Sequence, residues 1–200
     1  MADQKISAMP SATTPLTGAE LIPLVQGGAN VQSTVANFGD YARGEYFNHG
    51  AWEDTTTQTG SITAGTPFTF NTATVVDGVT LVSGSQLTVA EAGDYNIQWS
   101  GQFQNPENTI EEVTVWVRIN GVDVPNSAGV IALPARKNPS VLGKMIIGWN
   151  YFLSLTAGQY VQIVWLPSVA TVSAVTIPAS VVTPVHPSAA SIIVTVNQIG

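Results

Sequence analysis

The chain has no cysteine. Disulfide staples, thiolate metal sites and a cysteine nucleophile are therefore excluded. Charge is scarce as well. Asp, Glu, Lys and Arg make up 10% of the 200 residues, against about 25% in an average globular domain. The scarcity is uneven, because the 56 residues from Met145 to Gly200 contain none of the four. His186 is the one side chain in that run that titrates near neutral pH. So neutral a stretch has to face a membrane, a filled core or another subunit rather than bulk water.

A long unbroken apolar segment is also missing. The window Val161 to Val182 is interrupted by Pro167 and Pro178 and interleaved with Ser168, Thr171, Ser173, Thr176 and Ser180. A spanning helix needs about 20 predominantly apolar residues, and Val, Ile, Thr and Trp favour pleated strands. Met1 to Pro10 lacks the charged-then-apolar layout of a signal peptide. No membrane insertion is expected. Basic residues are few: Lys5, Arg43, Arg118, Arg136, Lys137 and Lys144 stand against 13 acidic residues, for a net charge of −7. Nucleic-acid binding needs clustered cations to neutralise phosphates, so no nucleic-acid partner is expected.

What remains is 44% hydrophobic and otherwise rich in Thr, Ser, Gly and Val, the composition of an all-β sandwich. Residues 1–45 read as an appendage. Met1 to about Leu16 is a small, polar arm with Pro10 and Pro15. Glu20 to Val25 and Asn30 to Ser33 form two short strands around Gln26-Gly27-Gly28. Thr34 then caps a short helix with Val35, Phe38 and Tyr41 or Ala42 on one face, ended by Gly44. Such a unit is too small to bury a core alone and has to pack on another surface.

Residues 46–200 change to period-2 strands. Tyr95, Ile97, Trp99, Gly101 and Phe103 alternate with Asn96, Gln98, Ser100 and Gln102, giving one buried and one polar face. Val113 to Ile119 alternates likewise and runs into Asn120-Gly121, a strong hairpin signal. Phe68 to Val76 and Val79 to Val82 flank a turn at Asp77-Gly78, and Gln86 to Val89 follows. Ile146 to Leu155 and Tyr160 to Leu166 are read as a hairpin around Thr156 to Gln159, and Ser191 to Ile199 as the closing strand. Pro167 to Ala190, with Pro178, Pro184 and Pro187, reads as an extended excursion.

Signals for catalysis are thin. His49 and His186 are far apart, and no nucleophile elbow appears. Glu53-Asp54 and Glu111-Glu112 are neighbours that a strand points to opposite faces. They suit a charged sheet edge better than a glycosidase pair. Asp77, Asp94, Glu107, Glu111 and Asp123 offer oxygen ligands for calcium but lack the spacing of a dedicated loop. No catalytic residue, metal or cofactor is assigned. Loops at one end of a sandwich suit binding better: Gln104, Asn105 and Asn108 on one, and His186 on the excursion, are the candidate receptor contacts.

Ala90 to Ser100 (AEAGDYNIQWS) resembles the Gly-x-Tyr strand of C1q/tumour-necrosis-factor-like jelly rolls. Leu155 to Val161 (LTAGQYV) is similar to that family's later hairpin, with Gln159 in place of Asp, and Ser191 to Val196 sits where its final strand belongs. Leu16 to Gly28 (LTGAELIPLVQGG) resembles a module near the start of tailed-bacteriophage fibre and appendage proteins. Together these imply a homotrimeric virion protein with a jelly-roll knob, made in the host cytoplasm and placed on the head or tail of the particle. Glu20, Leu21, Ile22, Pro23, Leu24, Val25, Gln26, Gly27 and Gly28 would be its virion anchor, contacting other capsid or tail proteins. Trp149, Tyr151 and Leu153, or Val161, Ile163 and Trp165, would line the trimer contact; an ordinary intrachain core explains the same alternation. The knob would adhere to a host-surface glycan or protein. The alternatives are a capsid decoration protein that stabilises the shell and a polysaccharide depolymerase.

Overall fold

The computed structural model describes residues 16–42 and 48–200. The N-terminal arm to Pro15, Gly44 as helix terminator and most of the joint from Arg43 to Gly50 lie outside the described residues. The chain divides into two compact units, Met1–Tyr46 and Phe47–Gly200, beside the division expected at residue 45.

In the first unit, β1 (Leu21–Gln26) and β2 (Ala29–Thr34) form an antiparallel hairpin. Gly27 and Gly28 sit at φ +58° and +80°, the positive pair that a two-residue turn matching the strand twist requires. The Thr34 hydroxyl accepts the Asn37 backbone N–H at 3.1 Å, capping α1 (Val35–Ala42). Hairpin, turn and cap all follow the sequence reading.

The second unit contains β3 (His49–Asp54), β4 (Gln58–Thr59), β5 (Thr66–Pro67), β6 (Thr72–Asp77), β7 (Val79–Val82), β8 (Gln86–Val89), β9 (Gly93–Asn105), β10 (Glu111–Ile119), β11 (Val122–Asp123), β12 (Gly129–Leu133), β13 (Gly143–Leu155), β14 (Tyr160–Pro167), β15 (Ser173–Ala174) and β16 (Ile192–Gln198). They make two antiparallel sheets. In the first, β13 pairs β9, and β9 pairs β16 and the short β15. β16 then pairs β3, β3 pairs β6, and β15 pairs β4. In the second, β12 and β11 pair one side of β10, whose other side pairs β14. β14 pairs β5 and β8, and β8 pairs β7. The knob is an all-β antiparallel sandwich.

The core follows from the alternation. Tyr95, Ile97, Trp99 and Phe103 of β9 are buried against Val113, Val115 and Val117 of β10 and Val161, Ile163 and Trp165 of β14. Phe68 joins the sheets: its ring stacks on Trp165 at 5.2 Å and 7°, and meets Phe103 edge-on at 6.1 Å and Trp99 at 6.4 Å. Its backbone N–H donates to Ile163 O at 2.9 Å. Asn120 and Gly121, at φ +48° and +82°, form the expected turn between β10 and β11.

Two sequence expectations are corrected. Ile146 to Leu155 and Tyr160 to Leu166 do not form a hairpin, because β13 pairs β9 in one sheet and β14 pairs β10 in the other. The Thr156–Gln159 turn carries the chain between sheets, held by Gly158 N–H to Val89 O at 2.8 Å and Val89 N–H to Gln159 O at 3.0 Å. Phe68 to Val76 is likewise not one strand; Thr66–Pro67 belongs to the second sheet and Thr72–Asp77 to the first, with Phe68 and Phe70 buried in the crossing. Local alternation reports burial but not which sheet a strand joins.

Replacing Phe68 by Ala removes the ring that contacts three other aromatics, and is expected to cost about 3–5 kcal/mol. Urea unfolding of the wild-type and variant proteins, followed by tryptophan fluorescence, measures it; a loss under about 1 kcal/mol contradicts this view of the core.

Candidate assembly and attachment surface

The uncharged run resolves into parts that need no charge and parts that lack it despite exposure. β14 is of the first kind. Val161, Ile163 and Trp165 face the core, and on the other face Val164 and Gln162 are also buried. A Cβ on Gly65 would come within 2.7 Å of Val164 and 2.3 Å of Trp116, so the chain before β5 lies directly over that face. The Gln162 amide donates to Ser85 Oγ at 2.9 Å. A strand buried on both faces has no place for a charge.

β13 is of the second kind. It is 13 residues long, has no proline and, among the described residues, has no strand paired on its side away from β9. Ile146 is 71%, Trp149 48% and Phe152 65% exposed, and Lys144 is the strand's sole charge. Across the sandwich β12 is the matching open edge, with Val130 63% exposed. Trp149 closes the gap: a Cβ on Gly129 of β12 would meet its ring at 2.4 Å, and the ring stacks on Tyr151 at 6.2 Å and 5°. The Tyr151 hydroxyl donates to Ser127 O at 2.9 Å, and burial pushes its pKa up.

These positions sort the expected trimer contacts. Val161, Ile163, Trp165 and Tyr151 belong to the intrachain core and have no surface left for a second copy, and Leu153 is partly buried against that core. Trp149 alone of the six stays substantially exposed. Ile146, Phe152 and Val130 are the exposed apolar side chains here that the sequence did not single out, because alternation points to the buried register and these three lie on the other register or on the opposite edge.

The outer face of the β9 sheet carries the second feature. Strand pairing sets Gly148, Ser100, Ile193 and Glu53 in one row, Asn150, Gln98, Thr195 and Ala51 in the next, and Phe152, Asn96, Asn197 and His49 in a third. Among the described residues Gln98 and Asn150 have no side-chain hydrogen-bond partner, and Asn96 Oδ1 is withdrawn from solvent with none. Elsewhere the amides hold the fold: Asn48 donates to Tyr95 OH at 3.2 Å, Asn71 to Asp54 at 3.1 Å and Gln102 to Ala190 O at 3.0 Å.

The candidate receptor residues separate. Asn105 is fully buried; its amide donates to Thr109 O at 2.9 Å and Pro134 O at 3.1 Å and accepts Glu107 N–H at 2.9 Å. It anchors the loop and offers a receptor nothing. Gln104 is half-buried within the sheet beside Lys144 and Ser173. Asn108 is exposed. His186 is exposed on the excursion, with Nδ1 2.9 Å from Pro187 O and its backbone paired with Ser180. The excursion folds back on itself through the Ile177–Ala189 and Ser180–His186 bridges, and near its start Ser173 and Ala174 are buried and continue the sheet as β15. Its root meets the Asn105 loop where Thr171 Oγ1 donates to Glu107 at 2.7 Å.

The acidic residues are dispersed. Asp54, expected on a solvated edge, is 2% exposed and accepts from Thr56, Thr69 and Asn71; the inward register of β3 places it there. The Ser168 and Thr109 hydroxyls hold the Glu111 carboxyl below the usual range. Arg118, and then the Trp116 indole, does so for Asp123. Asp94 pairs with Ser154, and Asp77 ends β6. Among the described residues no three His, Asp or Glu groups gather as a metal cluster, and no helix is long and apolar enough to cross a membrane.

In the N-terminal unit the anchor residues are nearly all solvent-facing: Leu21, Pro23, Leu24 and Val25 to Gly28 are exposed, and Glu20 and Ile22 partly so. Leu24, Val25, Val31 and Phe38 line a groove of ≈ 580 Å³. Glu20 closes the entry turn by accepting the Thr17 and Gly18 N–H groups, each at 2.9 Å, and the Thr17 hydroxyl at 2.8 Å. The Thr17 backbone N–H leads in lowering its pKa to about 2.

A depressed carboxyl stabilises the turn fully above its unfolded value near 4.5, and that contribution fades as pH falls toward 2. NMR titration should therefore place the Glu20 midpoint near 2, with the Thr17 and Gly18 amide signals moving together; a midpoint near 4.5 contradicts the hydrogen-bonded turn. No protein-family model and no curated protein matches this chain.

Proposed function

We propose that the chain is a structural protein of a bacteriophage virion: a homotrimer whose first 45 residues join it to the particle and whose knob adheres to the host surface. The observation that carries this reading is the open β13 edge. A long, flat, apolar edge strand templates aggregation unless it is blunted or covered. β13 has one lysine and no proline to blunt it, and copies of a chain with net charge −7 approach most easily through surface that carries no charge. Together with Val130 and Trp149 it makes a contact site for a second copy. The strand order supports a jelly roll of the C1q type. β3, β16, β9 and β13 form one sheet and β8, β14, β10 and β12 the other, as an eight-stranded jelly roll arranges its two Greek keys. The N-terminal unit presents an apolar groove, and a two-stranded sheet with one short helix is marginal without further cover. A virion surface supplies that cover. A capsid decoration protein is the second reading, favoured by the short joint between α1 and β3, which leaves no room for a shaft.

Light scattering of the purified chain should give three times its mass of 21.0 kDa, and a monodisperse monomer at micromolar concentration overturns the assembly. Val130→Glu places an unpaired carboxylate in the contact and should weaken assembly about 100-fold while leaving the unfolding midpoint of the isolated subunit unchanged. Deleting residues 1–45 should leave a folded, trimeric knob that no longer joins particles, as read by antibody labelling of purified virions; a knob that unfolds contradicts the two-unit division.

A further inference from the structure

We propose that the outer face of the β9 sheet, centred on Gln98, Asn150 and Asn96 with Phe152 beside them, binds a neutral oligosaccharide. This deepens the attachment half of the function above and rests on it.

The face is built for hydrogen bonding and left without partners. Gln98 and Asn150 lie opposite each other on β9 and β13, and Asn96 lies opposite Phe152 one row further. Rows on one sheet face recur about every 6.8 Å along a strand and strands lie about 4.8 Å apart, so the amides form a grid on the scale of successive sugar rings. Gln98 and Asn150 each offer both donors and an acceptor, as sugar hydroxyls do, while the Asn96 oxygen is withdrawn beneath the face. Shallow troughs of ≈ 230 Å³ and ≈ 290 Å³ adjoin beside Gln98 on this face and share Ser100 and Ile193; the second runs on toward Glu53 and Ser188 to Ala190.

Charge and shape select the ligand class. Gln98, Asn150, Asn96, Ser100, Thr195 and Phe152 carry no charge; the flanking carboxylates are Glu53, which lines the second trough from β3, and Asp94, one row beyond Asn96 and held by the Ser154 hydroxyl. A phosphorylated or carboxylated ligand finds no cation here, and a cationic peptide finds no central carboxylate. The exposed Phe152 ring supplies an apolar platform for the C–H face of a sugar. A second copy of the chain fits this face less well than the β12–β13 edge, because interface cores are apolar and aromatic and the centre of this face is amide and hydroxyl.

The test is NMR titration of the full chain with maltohexaose, cellohexaose and chitohexaose, with polygalacturonate as the acidic comparator, following the side-chain NH2 signals of Gln98, Asn150 and Asn96. At least one neutral hexaose should move all three signals at millimolar concentration. Phe152→Ala should weaken that binding at least tenfold; Gln98→Ala, whose side chain lies off the β13 edge, should weaken it at least threefold with the mass by light scattering unchanged. The proposal is overturned if no neutral hexaose moves these signals, if polygalacturonate moves them more, or if Phe152→Ala binds as tightly as the wild type. It is also overturned if the signals shift with protein concentration alone, which would assign the face to a second copy. Adhesion to bacterial cells that survives Phe152→Ala leaves the attachment reading standing and moves its site elsewhere; loss of adhesion by the wild type itself removes that reading.

Discussion

A chain that stops using charge at Lys144 has to cover or neutralise every face of the strands that follow, and the knob depends on how it does so. The core of the sandwich takes one face of β13, β14 and β16. The segment before β5 takes the other face of β14, through Gly65, Trp116 and Val164. Prolines and paired backbone bridges stiffen the excursion. What stays uncovered includes the free edge of β13, the outer face beside it, and Val181, Val182 and Val185 on the excursion; the first two are the surfaces where partners are proposed.

The aromatic cluster explains why the two sheets stay in register while the chain passes repeatedly between them. Phe68 comes from a crossing segment, Trp99 and Phe103 from the first sheet and Trp165 from the second. Rings from every layer meet at one point, so no sheet slides without breaking a stacked or edge-on contact, each worth about 0.5–1.5 kcal/mol beyond burial. A sandwich pinned in this way holds the side chains of its outer faces in fixed register.

Much of this was legible in the residues. The inward faces of β9 and β10 follow from strict alternation, and the turns at Gly27-Gly28 and Asn120-Gly121 from residues that tolerate positive φ. The helix cap at Thr34 follows from its hydroxyl preceding an amphipathic segment. Three things were not legible, for physical reasons. A four-residue turn such as Thr156–Gln159 has the same chemistry whether it closes a hairpin or crosses between sheets. Asp54 is charged but inward, because the register of β3 and the donors Thr56, Thr69 and Asn71 fix its side, and those donors come from 15 and 17 residues away in two of three cases. The exposed side of β13 is hidden in a sequence whose outward residues, Ile146 and Phe152, are as apolar as its inward ones.

The central claim is that the edge of β13 is covered by another copy of the chain. Hydrogen–deuterium exchange on the intact protein tests it most directly, at the alternate backbone amides of Gly143–Leu155 that point away from β9. A covered edge predicts slow exchange at those amides that speeds up as the protein is diluted below the assembly range. Fast exchange at every concentration, with the inward-pointing amides alone protected, contradicts the claim.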